Sequence, residues 1–307
     1  MVVRGSETLG FWRLGMSEGC RLCIAGLKVV VFISGGCSAN CFYCPLSIER
    51  KRVGAFYVDE EPASSPLDVI DEISAVGARG ISITGGEPMQ VLDRVLEVVK
   101  LVRQVLGSYI HIHAYTCGLY ATRSAIDLLN DAWIDELRFH PVDLGVWKLV
   151  EYAARETSMD VGVEVPALPI EPLLKAVVLE AWKRGAKFVN LNELEVSETN
   201  VDRLAVRGIE PSSDGRVARG SLDVALRVLE WADDEGLDIA IRVCTAKFKD
   251  CVQHARRLRR KALALAPPGA RVGDDGVVEF EGVASYPTLR DLAPVVSVWR
   301  ARRSMKG

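Results

Sequence analysis

Strand-like and helix-like segments alternate along most of this 307-residue chain, and this alternation is the feature that most restricts its fold. Apolar runs at 81–84, 110–116 and 188–192 predict strands. The segment 91–106 has the apolar spacing of a helix that stops at Gly107. Regular alternation of this kind favours parallel strands joined by crossover helices. The predicted fold class is therefore α/β.

Five of the predicted strands carry a polar row opposite an apolar row, because side chains alternate along a strand. The apolar rows can pack beneath helices, so the polar rows must share an interior. A dry interior of ionisable groups would be costly, and an ordinary barrel fills its interior with branched apolar side chains. We therefore predict an open, wet lumen that binds a polar ligand; a satisfied internal hydrogen-bond network is the alternative. The polar rows are His111, His113 and Tyr115; Glu136, Arg138 and His140; Gly162 and Glu164; Asn190 and Asn192; and Arg242 with Cys244.

Three cysteines, Cys37, Cys41 and Cys44, lie within eight residues on a loop that follows the apolar run 29–33. Thiolates are soft ligands suited to zinc, copper(I) and iron–sulfur clusters. A zinc ion would need two separated pairs of ligands, whereas a compact triplet fits one four-iron cluster with one iron left for a small molecule. A disulfide pair with a spare thiol, or buried structural cysteines, are the alternatives, but a cytosolic chain rarely keeps disulfides.

The spacing Cys37-x3-Cys41-x2-Cys44, with Tyr43 before the last cysteine, resembles the signature of the radical S-adenosylmethionine (SAM) superfamily. The flanking run 41–46, Cys-Phe-Tyr-Cys-Pro-Leu, is similar to archaeal proteins related to pyruvate formate-lyase activating enzyme, as is Leu-Asn-Glu-Leu-Glu at 191–195. The resemblance implies a partial (β/α)6-type TIM barrel with short N- and C-terminal extensions. In such barrels the chemistry lies at the C-terminal ends of the strands.

The motif Gly85-Gly86-Glu87-Pro88 follows the second predicted strand directly. Two glycines let the backbone approach a ligand closely, and the backbone carbonyls there can accept hydrogen bonds from an ammonium group. One strand–helix unit after the cysteine triplet, the motif matches the superfamily element that contacts the SAM amino group. Cys117 stands where related activating enzymes often carry an asparagine near the SAM ribose; a buried thiol is the alternative.

The resemblance also implies the reaction. A reduced [4Fe-4S] cluster cleaves SAM to methionine and a 5′-deoxyadenosyl radical, which abstracts hydrogen from the substrate. The partners expected are SAM, an electron donor such as a ferredoxin or flavodoxin, and a substrate that is a small molecule, the glycyl-radical site of a partner protein, or RNA. A non-catalytic iron–sulfur sensor is the alternative of another class, and a sensor has no need for a SAM pocket.

The candidate site residues lie on the two loops and on the polar rows. We expect Cys37, Cys41 and Cys44 to hold the cluster. The candidates for SAM and substrate are Tyr43, Gly85, Gly86, Glu87, His113, Thr116, Arg138, His140, Glu164, Asn190 and Asn192. Two further cysteine pairs, Cys20 with Cys23 and Cys244 with Cys251, could close a second site that holds zinc or another iron–sulfur cluster; unrelated thiols are the alternative.

The chain divides on this basis into an N-terminal leader (1–28), the barrel (29–245) and a C-terminal extension (246–307). The basic run 256–261 could contact RNA, but a solvated helix face is the expected role. Residues 267–283 predict a hairpin. The long stretch 197–220 is either a lid over the barrel mouth or a surface excursion.

Composition excludes some functions. The net charge of −3 does not favour DNA or RNA by itself. No apolar run reaches the length of a transmembrane helix. The first 15 residues lack the apolar core of a signal peptide. Eight cysteines without a secretion signal favour metal or redox chemistry in the cytoplasm.

Overall fold

The computed structural model describes residues 3–280 and 282–288, and its centre is one 11-stranded sheet with helices on its outer face. The strands are β1 (Arg4–Ser6), β2 (Gly10–Arg13), β3 (Lys28–Phe32), β4 (Tyr57–Val58), β5 (Glu61–Pro62), β6 (Gly80–Thr84), β7 (His111–Thr116), β8 (Glu136–Phe139), β9 (Asp160–Ala167), β10 (Phe188–Glu193), β11 (Ala240–Cys244), β12 (Arg271–Val272), β13 (Val278–Phe280) and β14 (Val283–Ser285).

The helices follow the strands as the alternation predicts. They are α1 (Glu18–Ala25), α2 (Leu67–Val76), α3 (Leu92–Leu106), α4 (Arg123–Asp131), α5 (Val146–Glu156), α6 (Glu171–Lys183), α7 (Val201–Ala205), α8 (Ser221–Asp234), α9 (Ala246–Phe248) and α10 (Ala255–Leu265). Two 3-10 turns (Pro88–Val91 and Gly107–Tyr109) and a short π-helix (Lys249–His254) complete them.

The sheet order is β1-β2-β11-β10-β9-β8-β7-β6-β3-β4-β5. The neighbouring strands β11, β10, β9, β8, β7, β6 and β3 pair in parallel. The short edge strands, β1 and β2 on one side and β4 and β5 on the other, pair antiparallel. Seven strands are therefore parallel, one more than in the six-stranded barrel type. Because β3 and β11 pair with other strands and not with each other, the barrel is open on one side. The α/β partial-barrel fold predicted from the sequence is confirmed.

The predicted alternation of the strand faces is also confirmed. Ile112, Leu137, Val163, Leu191 and Ile241, one from each of five neighbouring strands, are fully buried in the core beneath the helices. Their polar neighbours point to the other side of the sheet, into the lumen. Alternation has a period of two, so the apolar row fixes the direction of the polar row without further information.

The N-terminal segment is part of the barrel. Helix α1 begins at Ser17, whose hydroxyl accepts a hydrogen bond from the Cys20 amide, and ends at Gly26 with φ 65°. It closes the N-terminal end of the strands, which we call the lumen floor. A Cβ atom at Gly19 would lie 2.7 Å from His113 Nδ1 and 2.6 Å from Arg138 Nη2. Only glycine therefore lets α1 pack this closely.

The chain after β11 crosses the open side of the barrel. The segment 246–265 leaves β11, and helix α10 packs on α2, on the far side of the gap. Arg257 Nε lies 3.1 Å from Asp59 Oδ2, and Lys261 Nζ lies 2.8 Å from Glu72 Oε2; all four side chains are at most 6% exposed. The expected solvated face is therefore wrong for these two basic residues, which bridge the gap by ion pairs.

The other members of the basic run, Arg256, Arg259 and Arg260, are exposed. The hairpin predicted at 267–283 is confirmed, since β12 and β13 pair antiparallel with Val272 opposite Val278. All eight cysteines are free thiols. Within the described ranges, 3–280 and 282–288, no helix has both the length and the apolar character needed to cross a membrane.

Candidate active site

The three cysteines of the triplet lie on residues 34–46, the cysteine loop, at the C-terminal end of β3. All three border one large cavity; Cys37 is exposed, and Cys41 and Cys44 are half-buried. A hydrogen bond with the Cys117 thiol lowers the pKa of Cys37 to about 6, whereas burial raises the pKa of Cys41. A loop that presents three thiols to one space, one of them easily ionised, fits an iron–sulfur cluster.

The cysteine loop is held from outside by the segment 197–220. Asn200 is fully buried, and its side-chain amide donates to the Tyr43 carbonyl at 2.9 Å. Thr199 Oγ1 donates to the Leu46 carbonyl at 2.8 Å, and Arg203 Nη2 donates to the Asn40 carbonyl at 2.6 Å. These contacts make the segment a support for the cysteine loop, a role that neither predicted alternative, the lid or the surface excursion, describes.

The Gly85-Gly86 motif packs directly against the cysteine loop. The Gly86 amide donates to the Ser34 carbonyl at 2.7 Å, and the Glu87 amide donates to the Gly36 carbonyl at 2.8 Å. A Cβ atom would lie 2.3 Å from the Ser34 oxygen at Gly85, and 2.4 Å from the Gly36 oxygen at Gly86. Gly85 also has φ 153°. Both positions therefore require glycine, and both border the cavity beside the cysteines.

Glu87 connects this edge to the end of β7. Its carboxylate is fully buried and accepts hydrogen bonds from the Met89 amide at 3.0 Å, the Thr116 hydroxyl at 2.8 Å and the Cys117 amide at 2.5 Å. Because three protein donors already occupy the carboxylate, Glu87 fixes the relative position of the two loops. Glu87 is not among the cavity-lining residues, whereas Thr116 is.

The polar rows form a network centred on Glu164. Its carboxylate accepts from Arg138 at 2.7 Å, from Asn190 at 2.8 Å and from Asn192 at 2.9 Å. Burial opposes ionisation of this carboxyl, but the Arg138 charge and the two amides outweigh it and lower its pKa to about 2. Arg138 also contacts the buried Glu136 carboxylate. This part of the lumen therefore matches the internal-network alternative.

Tyr43 reaches from the cysteine loop into the lumen. Its hydroxyl lies 2.7 Å from His140 Nε2, and His140 Nδ1 lies 3.1 Å from the Glu164 carbonyl oxygen. Burial lowers the pKa of His140, which favours the neutral imidazole at pH 7. Through these two contacts, Tyr43 and His140 connect the cysteine loop to the polar network around Glu164.

The cavity has a volume of about 780 Å³ and extends from the cysteine loop to the lumen floor. It therefore also matches the prediction of an open, ligand-sized lumen. The predicted site residues that line it are Cys37, Cys41, Cys44, Tyr43, Gly85, Gly86, Thr116, Arg138, His140, Glu164, Asn190 and Asn192.

His113 lies outside this lining, beneath α1. It is fully buried, neither ring nitrogen has a hydrogen-bond partner in the described part of the chain, and burial lowers its pKa. Sequence reasoning missed Lys28 and Ser82, which do line the cavity. Alternation along β6 could have identified Ser82, which lies inside the predicted strand 81–84, and Lys28 would have been found had the first strand been started one residue earlier.

The second set of cysteines is only partly brought together. Cys20, Cys23 and Cys244 line the same cavity, the first two on α1 and Cys244 at the C-terminal end of β11, whereas Cys251 is exposed on the π-helix outside the lining. A zinc ion needs sulfur ligands within about 4 Å of one another, because Zn–S bonds are about 2.3 Å long. Among the described residues no three His, Cys, Asp or Glu side chains converge on one metal ion. In an iron–sulfur cluster the thiolates bind different irons, so the absence of three convergent side chains among the described residues bears on zinc alone.

A thiol triplet at the C-terminal ends of parallel strands, above a polar lumen, defines the class: an iron–sulfur enzyme built on a partial barrel. The family model described as the radical SAM superfamily matches residues 31–141. A Methanocaldococcus jannaschii protein, named as a candidate glycyl-radical enzyme activating enzyme, is 31% identical over 294 residues, which cover 92% of this chain and 77% of that protein. The chain belongs to the radical SAM superfamily. It is a radical SAM enzyme, and its cofactors are a [4Fe-4S] cluster and SAM.

Solved structures with a similar fold include SuiB of Streptococcus suis bound to SAM (12% identity, TM-score 0.45, 81% of this chain and 52% of that one). Coproporphyrinogen III oxidase of Escherichia coli is similar at 11% identity and TM-score 0.45, over 72% of this chain and 57% of that one. The chain thus spans just over half the length of these two proteins. The family assignment rests on the family model and the archaeal relative.

Proposed function

We propose that this enzyme abstracts hydrogen from a small polar substrate that binds in the lumen below SAM. One observation supports the proposal most: a single cavity of about 780 Å³ joins the cluster cysteines to a charged lumen. When bound, the reduced cluster and SAM supply a 5′-deoxyadenosyl radical. The protein's part is to hold both cofactors, to position the substrate and to exclude water.

Individual residues take distinct parts in this proposal. Cys37, Cys41 and Cys44 hold the cluster. The backbone edge at Gly85 and Gly86 receives the SAM amino group, because both glycines line the cavity beside the cysteines. The remaining predicted residues that line the cavity complete the SAM and substrate pocket; they are Tyr43, Thr116, Arg138, His140, Glu164, Asn190 and Asn192.

The electron donor is part of the proposal. Cys37 is exposed, so a one-electron carrier such as a ferredoxin or flavodoxin can approach the cluster at that loop. Free thiols throughout the chain support a reducing compartment, the cytoplasm. Because Arg257 and Lys261 are buried in ion pairs, only the exposed Arg256, Arg259 and Arg260 of the basic run could contact an RNA substrate.

The test is anaerobic cleavage of SAM. The protein is reconstituted with iron and sulfide, mixed with SAM and dithionite, and assayed for 5′-deoxyadenosine beside a Cys41→Ala control. Product in the wild type that is absent from the control supports the proposal. A reducible cluster whose EPR signal does not change on addition of SAM would contradict it.

A second candidate is an activating enzyme that places a glycyl radical on a partner protein. The name of the archaeal relative favours it. The bridged gap counts against entry of a protein segment from the side, because α10 is joined to α2 by the buried pair Lys261–Glu72. To distinguish the two candidates, either the dialysed macromolecular fraction or the small-molecule fraction of a cell extract is added to the SAM cleavage assay. Stimulation of SAM cleavage by the macromolecular fraction alone would favour the activating enzyme.

A further inference from the structure

Lys28 is a lysine inside the barrel. It is the first residue of β3 and faces the lumen, because its neighbours Val29 and Val31 belong to the core on the opposite face. The residue is 6% exposed and lines the cavity at the floor. A buried lysine is normally paired, since an isolated ammonium in a protein interior is costly.

No partner compensates Lys28 directly. Across residues 3–280 and 282–288, its ammonium makes neither a hydrogen bond nor an ion pair with any side chain or carbonyl. Its charge helps to lower the pKa of Glu164 and that of His113. The Glu164 carboxylate directs its oxygens to Arg138, Asn190 and Asn192 instead. Lys28 thus reaches Glu164 only through its electric field.

Two further donors border the same space. Ser82 stands on β6, opposite Val30 and two residues beyond the partner of Lys28, so both side chains are on the lumen face. It is 2% exposed and lines the cavity. Arg242 on β11 also lines it and is 2% exposed; its guanidinium donates to Met16 Sδ at 2.7 Å and to the Leu9 carbonyl at 3.2 Å. No carboxylate in the described residues pairs with Arg242.

The SAM carboxylate does not account for this site. Lys28 lies four residues before Phe32 at the end of β3, roughly 13 Å along the strand, and the cysteine loop continues beyond that end. Lys28 therefore approaches the lumen from the end opposite to the cluster. A ligand that shares the cavity with SAM would reach it with its far end.

We propose that the lumen floor is an anion site, in which Lys28, with Ser82 on the neighbouring strand β6 as a second donor, binds a carboxylate or phosphate group of the substrate. The inference rests on the proposed function in one respect, that the lumen holds the substrate. It assigns the substrate class: a small molecule with an anionic group at the end remote from the abstracted hydrogen.

The test measures anion binding by the reconstituted enzyme saturated with SAM. Succinate and inorganic phosphate are titrated separately by calorimetry, and the two arms distinguish a carboxylate from a phosphate site. Lys28→Met keeps the length of the side chain and removes the charge. Lys100→Met, at an exposed lysine on α3 outside the cavity lining, is the matched control. We expect one anion to bind the wild type, with a Kd raised about tenfold or more in Lys28→Met and unchanged in Lys100→Met.

The melting temperature distinguishes a role of Lys28 in anion binding from a role in holding the fold together. Because Lys28 has no direct partner, Lys28→Met should melt at the wild-type temperature or higher when no anion is present. Loss of several degrees would assign Lys28 to the fold and overturn the proposal, as would equal anion affinity in wild type and variant or the absence of binding by both anions. Assay of 5′-deoxyadenosine in the same samples shows separately whether SAM cleavage occurs, so the two proposals can fail independently.

Discussion

Glu164→Gln should change how stability depends on pH. In the folded protein the pKa of Glu164 is about 2, compared with an ordinary value of 4.5. A difference of about 2.5 units corresponds to roughly 3 kcal/mol of stabilisation at pH 7. Because the folded pKa is depressed, this stabilisation is present above pH 4.5 and is lost as the pH falls toward 2. At pH 3 about 1.4 kcal/mol should remain.

The assay is urea unfolding of the cluster-free, reduced protein between pH 7 and pH 3. Wild type minus Glu164→Gln should give a free-energy difference that falls by about 2 kcal/mol over this range. Glu210→Gln, which removes an exposed partner of Arg219, is the control and should leave the curve unchanged. Parallel curves for wild type and Glu164→Gln would refute the argument that Arg138 and the two amides hold the carboxylate ionised.

Three further predictions follow from the packing. Lys261→Met should lower the free energy of unfolding by about 3–5 kcal/mol, because it leaves the buried Glu72 carboxylate without its partner. Arg260→Met on the same helix should have no effect in the same urea assay. Equal stability of wild type and Lys261→Met would disprove the bridge between α10 and α2. Gly86→Ala should abolish the SAM-induced change in the cluster EPR signal, whereas Gly54→Ala, where a Cβ meets nothing within 4 Å, should preserve it; a normal signal from Gly86→Ala would contradict the close packing. Asn200→Ala should accelerate chelator-driven loss of iron several-fold, since it frees the cysteine loop; an unchanged rate would show that the loop does not need this support.

The barrel and most of the lumen could be predicted from the sequence, because both depend on the alternation of side chains along each strand, which repeats every two residues. Once Leu137 and Leu191 were assigned to the core, Arg138 and Asn190 had to face the lumen. The cysteine triplet could also be recognised from the sequence, because its three thiols are close in sequence. Local spacing determines these features, and no long-range contact is needed to infer them.

Contacts between distant segments could not be read in the same way. The basic run looked like a solvated helix face because its acidic partners, such as Asp59 and Glu72, lie nearly 200 residues away. Glu87 was expected to hold SAM, but three donors from its own and a neighbouring loop occupy its carboxylate. Lys28 was missed because the first strand was started at Val29. In each case tertiary pairing, and not local pattern, decides what the charged group contacts.

The geometry of access bears on which substrate the enzyme takes. The side gap is bridged by the segment 246–265, and α1 closes the floor, so the mouth beside the cysteine loop is the remaining way into the lumen. Cys37, the exposed cysteine of the triplet, lies at that same mouth, and the proposed electron carrier would come close to it. A protein substrate and a protein reductant would therefore compete for one face. A small anionic substrate that is already inside leaves the mouth free for the reductant, which favours the small-molecule proposal over the activating enzyme.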